Sequence, residues 1–235
     1  MAYTKRFDGR KFDEIRAMDA KVGVIERATG SAMFKMGNTI AYAAVYGPRD
    51  LFPSFLQNST RGIIRCYYDM WSFSVTDRKR PGPTRRSTEI SKVSEAALFP
   101  ALRLGAFPNT TFDIYINIIQ ADAGTRTAGI NAAALALADA GVPMEDLVCS
   151  VAVGKVGDKI CVDLDKEEED FEEGATDLPV AIMPRSGKIT LLQMDGNMTP
   201  KEIKEALTMA KKAMEKVKKV QVKALRDKYK GEDKK

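Results

Sequence analysis

Ile119-Gln120-Ala121-Asp122-Ala123-Gly124-Thr125-Arg126-Thr127 joins two segments of different character. Before it, Phe112 to Ile119 is apolar and rich in β-branched residues, the pattern of a strand. After it, Ala128 to Ala140 is alanine-rich and apolar nearly all round, so it is predicted to be a buried helix packed on both sides. A tight glycine turn between strand and helix leaves the first helical amides without intrahelical partners and turns the positive end of the helix outward. Arg126 adds a forked pair of donors. Gly124, Thr125 and Arg126 are therefore expected to bind an anion of phosphate size. The same motif also reads as an ordinary helix cap beside a surface arginine, so it needs a second witness.

Arg85-Arg86-Ser87-Thr88-Glu89 supplies one. These residues follow a proline-bearing loop, Arg80-Pro81-Gly82-Pro83, and lead into a helix predicted from Ser87 to about Phe99. Adjacent arginines repel each other unless an anion or an acidic partner lies between them, and guanidinium matches phosphate oxygens bidentately. Further along, Asp170 and Asp177 flank a short glycine-containing loop. Two carboxylates so placed can share a divalent cation, Mg2+ being the natural choice, or one can protonate a leaving hydroxyl. Glu167, Glu168, Glu169, Glu172 and Glu173 surround them, so the segment equally reads as a solvated acidic loop. Arg61 and Arg65 flank Ile63-Ile64 on a predicted strand with Tyr68 three positions on, a combination suited to single-stranded nucleic acid. Edge-strand arginines beside a core tyrosine is the alternative.

The rest of the chain frames these candidates. Short strands are expected at Val22–Ile25, Ser31–Met36 and Thr39–Tyr46, with a long loop opening at Gly47-Pro48-Arg49-Asp50. Two hairpins follow the alanine-rich helix, Val148–Val153 with Ile160–Asp165 and Pro179–Met183 with Ile189–Met194. A long amphipathic helix begins at Thr199-Pro200, and the tail from Lys228 to Lys235 is expected to fray. Two rough halves echo each other. The expected fold is α+β, one domain over residues 1–235, with a mixed sheet backed by helices.

Composition closes off other chemistries. The 235 residues carry a formal charge of +5, compatible with a polyanionic partner. With no histidine, a Ser-His-Asp triad, a Cys-His pair and His-ligated metals are excluded. Cys66, Cys149 and Cys161 have no metal-ligand spacing and are expected to be reduced core residues. No apolar run is long enough to span a membrane, and the start lacks the apolar core of a signal peptide, so a cytoplasmic protein is expected.

Arg6-Phe7-Asp8-Gly9-Arg10 resembles the opening signature of the RNase PH family. Arg85-Arg86, Gln120 to Arg126, and Asp170 with Asp177 follow in that family's order, and the likeness covers roughly residues 5–225. Ala43–Arg49, Ala134–Gly141 and Leu191–Gly196 look most like its archaeal exosome branch. The resemblance implies a fold of duplicated βαβα units and a phosphate-dependent 3′→5′ exoribonuclease that releases nucleoside diphosphates and runs in reverse as a 3′ tailing enzyme. It implies a hexameric ring with a related, catalytically silent subunit, capped by RNA-binding proteins. Gly124, Thr125, Arg126 and Arg86 would hold inorganic phosphate as co-substrate. Arg85 and Arg86 would grip terminal RNA phosphates, Arg61 and Arg65 would line the RNA path, and Tyr68 would stack on the terminal base. Asp170 and Asp177 would position a metal, one acting as general acid. The step between those aspartates is seven residues where the family usually has six, which brings Glu169 and Glu172 forward as stand-ins for the first. Tyr67 stands where a further basic residue is common. A homohexameric tRNA-trimming enzyme and a silent RNA-binding ring subunit are the rival readings.

Overall fold

The computed structural model describes residues 3–171 and 174–232. Five strands, β1 (Met18–Val22), β2 (Gly30–Met36), β3 (Thr39–Asp50), β4 (Ile63–Met70) and β5 (Thr110–Gln120), form a sheet in the order β1-β2-β3-β5-β4. It is mixed, since β4 runs parallel to β5 while the other pairs are antiparallel. The crossover from β4 to β5 carries helix α1 (Arg85–Leu98). A second sheet, antiparallel throughout, orders β6 (Cys149–Val156), β7 (Lys159–Val162), β8 (Ala175–Met183) and β9 (Lys188–Leu192) as β7-β6-β8-β9.

Helix α2 (Thr125–Asp139) lies between the sheets and packs on β2, β3 and β6. Its all-round apolar sequence has this cause: Ala128 and the run Ile130 to Leu137 are fully buried. Gly129 lets β5 and the helix close up, because a Cβ there would stand 2.8 Å from Ile116. One core cluster runs through both sheets, α1, α2 and the buried stripe Ala206, Ala210, Ala213, Met214 and Val217 of helix α4 (Pro200–Glu232).

Element boundaries moved in several places, among them the start of β8, which lies at Ala175 and not at Pro179, so that Asp177 belongs to the strand and does not flank a loop. The first strand is Met18–Val22, ending where the predicted strand begins. Strand β3 does not stop at Tyr46 but runs to Asp50, absorbing Gly47-Pro48 through a bulge between Tyr46 and Arg49, where a proline costs no regular ladder bond. A one-turn helix, α3 (Lys166–Glu169), was not foreseen in the acidic segment. The terminal helix holds beyond the expected fraying point, because Lys228 Nζ and the Tyr229 hydroxyl both reach Asp139. Only residues 233–235 of that tail lie outside the described residues.

Candidate active site

At the end of β5 the chain turns through Ala123 and Gly124, both left-handed at φ 53° and 60°. Glycine takes the left-handed φ of the second position without strain, and a Cβ there would crowd the Arg16 guanidinium at 3.3 Å. The turn is pinned from outside. The Thr39 hydroxyl donates to the Asp122 and Ala123 carbonyls at 2.9 and 2.7 Å, and Arg16 donates to the Asp122 carbonyl. Gly124 is the N-cap of α2 and offers no side-chain cap, so the first amides of this helix stay open to a ligand.

The other arginine-flanked helix start is built differently. Arg85 is already the first residue of α1, and Thr84 caps it through a reciprocal pair with Ser87. Its orphan amides are thus partly occupied, and this end contributes side chains instead. Arg86 lines the cleft in front of α2, whereas Arg85, also exposed, does not.

That cleft consists of two adjoining chambers of about 640 and 460 Å³. Arg86, Arg126, Lys166, Glu169, Asp177 and Pro179 border both. Arg126 is held on one side by Gln193, whose Oε1 accepts from Nη1 at 2.5 Å, and more loosely by Glu89 at 3.5 Å. Gln193 in turn donates to Glu89 at 2.7 Å. The Arg126 Nε hydrogen has no partner although it is buried. Across the cleft Asp177 is fixed by a backbone pair with Asp195, N to O 2.9 Å in both directions, while its Oδ1 is buried without a hydrogen bond. A buried unpaired donor facing a buried unpaired acceptor is a costly arrangement unless something binds between them.

The model of the "3' exoribonuclease family, domain 1" matches residues 14–143 and that of domain 2 matches residues 146–213. The chain belongs to the RNase PH family of 3′ exoribonucleases. The exosome complex component Rrp41 of Thermococcus kodakarensis is 53% identical over 225 residues, 96% of this chain and 90% of that one. Its Methanopyrus kandleri counterpart is 52% identical over 227 residues, 97% and 94% of the two chains. Among solved structures, rice (Oryza sativa) Rrp46 superposes with a TM-score of 0.81 at 22% identity, covering 92% of this chain and 98% of that one. A chain of the Archaeoglobus fulgidus exosome with RNA bound to the active site gives 0.78 at 24% identity, covering 96% and 93%. These last two establish the shared fold, which is the RNase PH fold expected from the sequence.

Within this RNase PH cleft the carboxylates are electrostatically strained. Burial, with Asp195 alongside, pushes Asp177 up to about 6 against the pull of Arg126 and Arg86. Burial and the neighbouring Asp177 push Glu169 up to about 7. Asp170 is placed elsewhere. Its side chain is 62% exposed on the cleft rim and ion-paired with Lys166 Nζ at 2.6 Å. Glu172 lies outside the described residues.

The predicted RNA-contacting residues are not gathered at the cleft. Arg65 faces the outer side of β4 and donates to the Phe52 carbonyl at 2.9 Å, and Arg61, just ahead of the strand, lies over the Phe99 ring. The cleft is at the opposite end of β4, where Met70 borders it. Met70 is five residue steps along the strand from Arg65, roughly 16 Å of chain. Tyr68 is not available for stacking on a base as expected. Strand alternation turns it inward, where it is only 4% exposed, and Tyr67 takes the outer face, stacked on Tyr115. Burial raises the Tyr68 phenol to about 12, against the pull of Thr125, Arg86 and Arg126 beside its hydroxyl. Glu89, Gln193, Asp195 and Lys166 are cleft residues that sequence reasoning did not single out; only their places inside the quoted Arg85–Glu89 and Leu191–Gly196 stretches pointed to three of them.

Proposed function

We propose that this chain is a phosphorolytic 3′→5′ exoribonuclease, the catalytic ring subunit of an archaeal exosome acting in the cytoplasm. The observation that carries the reading is an uncapped helix start flanked by Arg126 and Arg86, facing Asp177 across one cleft. Inorganic phosphate is held by the α2 amides at Thr125 and Arg126, with the Gly124 turn allowing close approach and the free Arg126 Nε hydrogen adding a donor. Arg86 bridges it to the terminal phosphate of the RNA, and Arg85 grips the strand just outside. An oxygen of the bound phosphate attacks the terminal phosphodiester in line. A new P–O bond forms, the bond to the penultimate ribose 3′ oxygen breaks, that oxygen takes a proton, and a nucleoside diphosphate leaves. The arginines neutralise charge shared between two phosphates. Bond type is conserved, so the reverse reaction extends RNA 3′ ends.

The donor set suits a hard cation such as Mg2+. Asp177 Oδ1 is a buried oxygen without a partner, and no group of three or more acidic, Cys or His residues closes a cage among the described residues. An ion here would draw its remaining ligands from water and phosphate oxygens, with Asp177 and one acidic side chain of α3 as its protein anchors. When bound it supplies further neutralisation between the phosphates.

Arg61 and Arg65 lie along the approach of the single-stranded RNA toward the cleft. Phe52, Phe55, Tyr67 and Tyr115 are exposed on that side of the isolated chain. A related silent subunit completes the channel in a hexameric ring, and RNA-binding cap proteins feed it. Among the described residues no helix is long and apolar enough to cross a membrane.

The test is to mix the chain, with and without a related ring subunit, with single-stranded RNA and inorganic phosphate and to identify the products. Nucleoside diphosphates formed only with phosphate are expected. Equal degradation without phosphate, yielding monophosphates, overturns phosphorolysis. Mass in solution beside specific activity decides the assembly: a fully active homohexamer would favour the tRNA-trimming alternative.

A further inference from the structure

The acidic segment offers three successive carboxylates, Glu168, Glu169 and Asp170, and the fold sends each to a different place. Asp165 caps α3, its Oδ1 accepting from the Glu168 amide at 3.0 Å while Glu168 Oε2 accepts from the Asp165 amide at 3.1 Å. Glu168 is fully buried, receiving Nε and Nη2 of Arg6, each at 2.7 Å, and the Tyr3 hydroxyl at 2.5 Å. Arg6 is itself 2% exposed and also donates to the Val162 and Asp163 carbonyls at 2.8 Å. With Glu168 clamped, the rotation of this single turn is fixed, because successive helical residues differ by about 100°. Glu169 then points into the cleft, bordering both chambers beside Asp177 and the Gly124 turn. Asp170, one step further, swings to the rim and is neutralised by Lys166 four residues back.

Resting on the phosphorolytic reading above, we propose that Glu169, not Asp170, is the second catalytic carboxylate opposite the phosphate cradle, and that Arg6 is its positioning residue through Glu168. Glu169 and Asp177 together face the reacting phosphodiester and any cation bound there.

The experiment compares Glu169→Gln, Glu169→Asp, Asp170→Asn and Arg6→Lys in the full chain assembled with its ring subunit. Turnover and KM are measured with varied phosphate, and Mn2+ binding is followed by paramagnetic resonance in the presence of phosphate. Glu169→Gln is expected to lower kcat by about 100-fold or more with little change in KM for phosphate, and to weaken Mn2+ binding. Glu169→Asp recovers part of the loss, and Asp170→Asn stays within about twofold of wild type on both readouts. Arg6→Lys keeps the charge but not the fork, so it lowers kcat in the otherwise wild-type chain, and in an Arg6→Lys/Glu169→Gln double variant it adds little to the loss that Glu169→Gln alone produces. A large loss in Asp170→Asn with near-normal Glu169→Gln overturns the assignment. Additive losses in the double variant overturn the positioning role of Arg6. If the wild-type assembly releases monophosphates, phosphorolysis falls, but the ranking of the two carboxylate variants on that turnover still decides between Glu169 and Asp170. Were turnover absent altogether, the Mn2+ comparison would decide.

Discussion

Glu168 and Glu169 are adjacent in the chain and belong to ionic clusters of opposite character. Around Glu168, and around fully buried Asp163 nearby, every charge has a partner: Arg6 forks onto Glu168, and Arg16 grips Asp163 with its amide, Nε and Nη2 at 2.8, 2.9 and 2.7 Å. Around Glu169 the partnering is incomplete, with the Arg126 Nε hydrogen and Asp177 Oδ1 both buried and unpaired. The same residue types thus hold a fold in one place and wait for a ligand in the other. What separates them is how fully their hydrogen-bonding capacity is used inside the chain.

Their responses to acid run in opposite directions. Burial works against the Glu168 carboxylate, but hydrogen bonds from Arg6 and Tyr3 outweigh it and hold its pKa below the ordinary 4.5. A depressed carboxylate stabilises the fold above its unfolded pKa and loses that contribution as pH falls through the folded one. Asp177, raised to about 6, does the reverse: the folded state holds its proton more tightly, so stability declines as pH climbs from about 4 through 6.

The comparison can be broken most sharply at Arg126. Arg126→Glu puts an acid into the proposed phosphate cradle, and release of nucleoside diphosphates should fall at least about 1,000-fold while the thermal midpoint holds. Next comes the locked cluster. Glu168→Ala strands a buried arginine and should cost about 3–5 kcal/mol in urea unfolding, with activity lost only as the protein unfolds or α3 rotates. If that variant were as stable as wild type, the description of the cluster as a lock would be wrong. A smaller effect of the other sign is expected in the cleft. Asp177→Asn should inactivate the enzyme yet stabilise the fold at pH 8 by on the order of 2 kcal/mol, the gain vanishing below pH 4. Destabilisation at pH 8 would show that Asp177 is part of the scaffold instead. The mildest change is Arg61→Ala with Arg65→Ala. Folding and kcat should stay, while the slope of log binding against log salt for single-stranded RNA drops by somewhat under one per lost phosphate contact. An unchanged slope would mean that neither arginine meets RNA.

How much of this was legible depends on how local the cause is. Gly124-Thr125-Arg126 could be read from sequence because strand, turn and helix start are contiguous, and α2 because a helix apolar all round has only one place to go. The faces of β4 were harder. Cys66 and Tyr68 go inward while Arg65 and Tyr67 go outward, but tyrosines stand on both sides of the alternation, so residue type did not say which ring was free. The aim of α3 was out of reach. Its rotation is set by Arg6, 162 residues away, and a run of glutamates carries no mark of which one a distant arginine will claim.

Helix α2 closes the cleft floor with its first turn and fills the space between the sheets with the rest. The proposed phosphate site is therefore the tip of a helix buried along nearly its whole length, not a loop laid over it. Amide hydrogen exchange along α2 should report only global opening, with no local unfolding unit at its N-terminal end beyond the first turn. Loss of activity on heating should then coincide with the cooperative melting of both sheets, so that this enzyme, unlike those whose sites sit on mobile lids, stays competent up to the temperature at which it ceases to be folded.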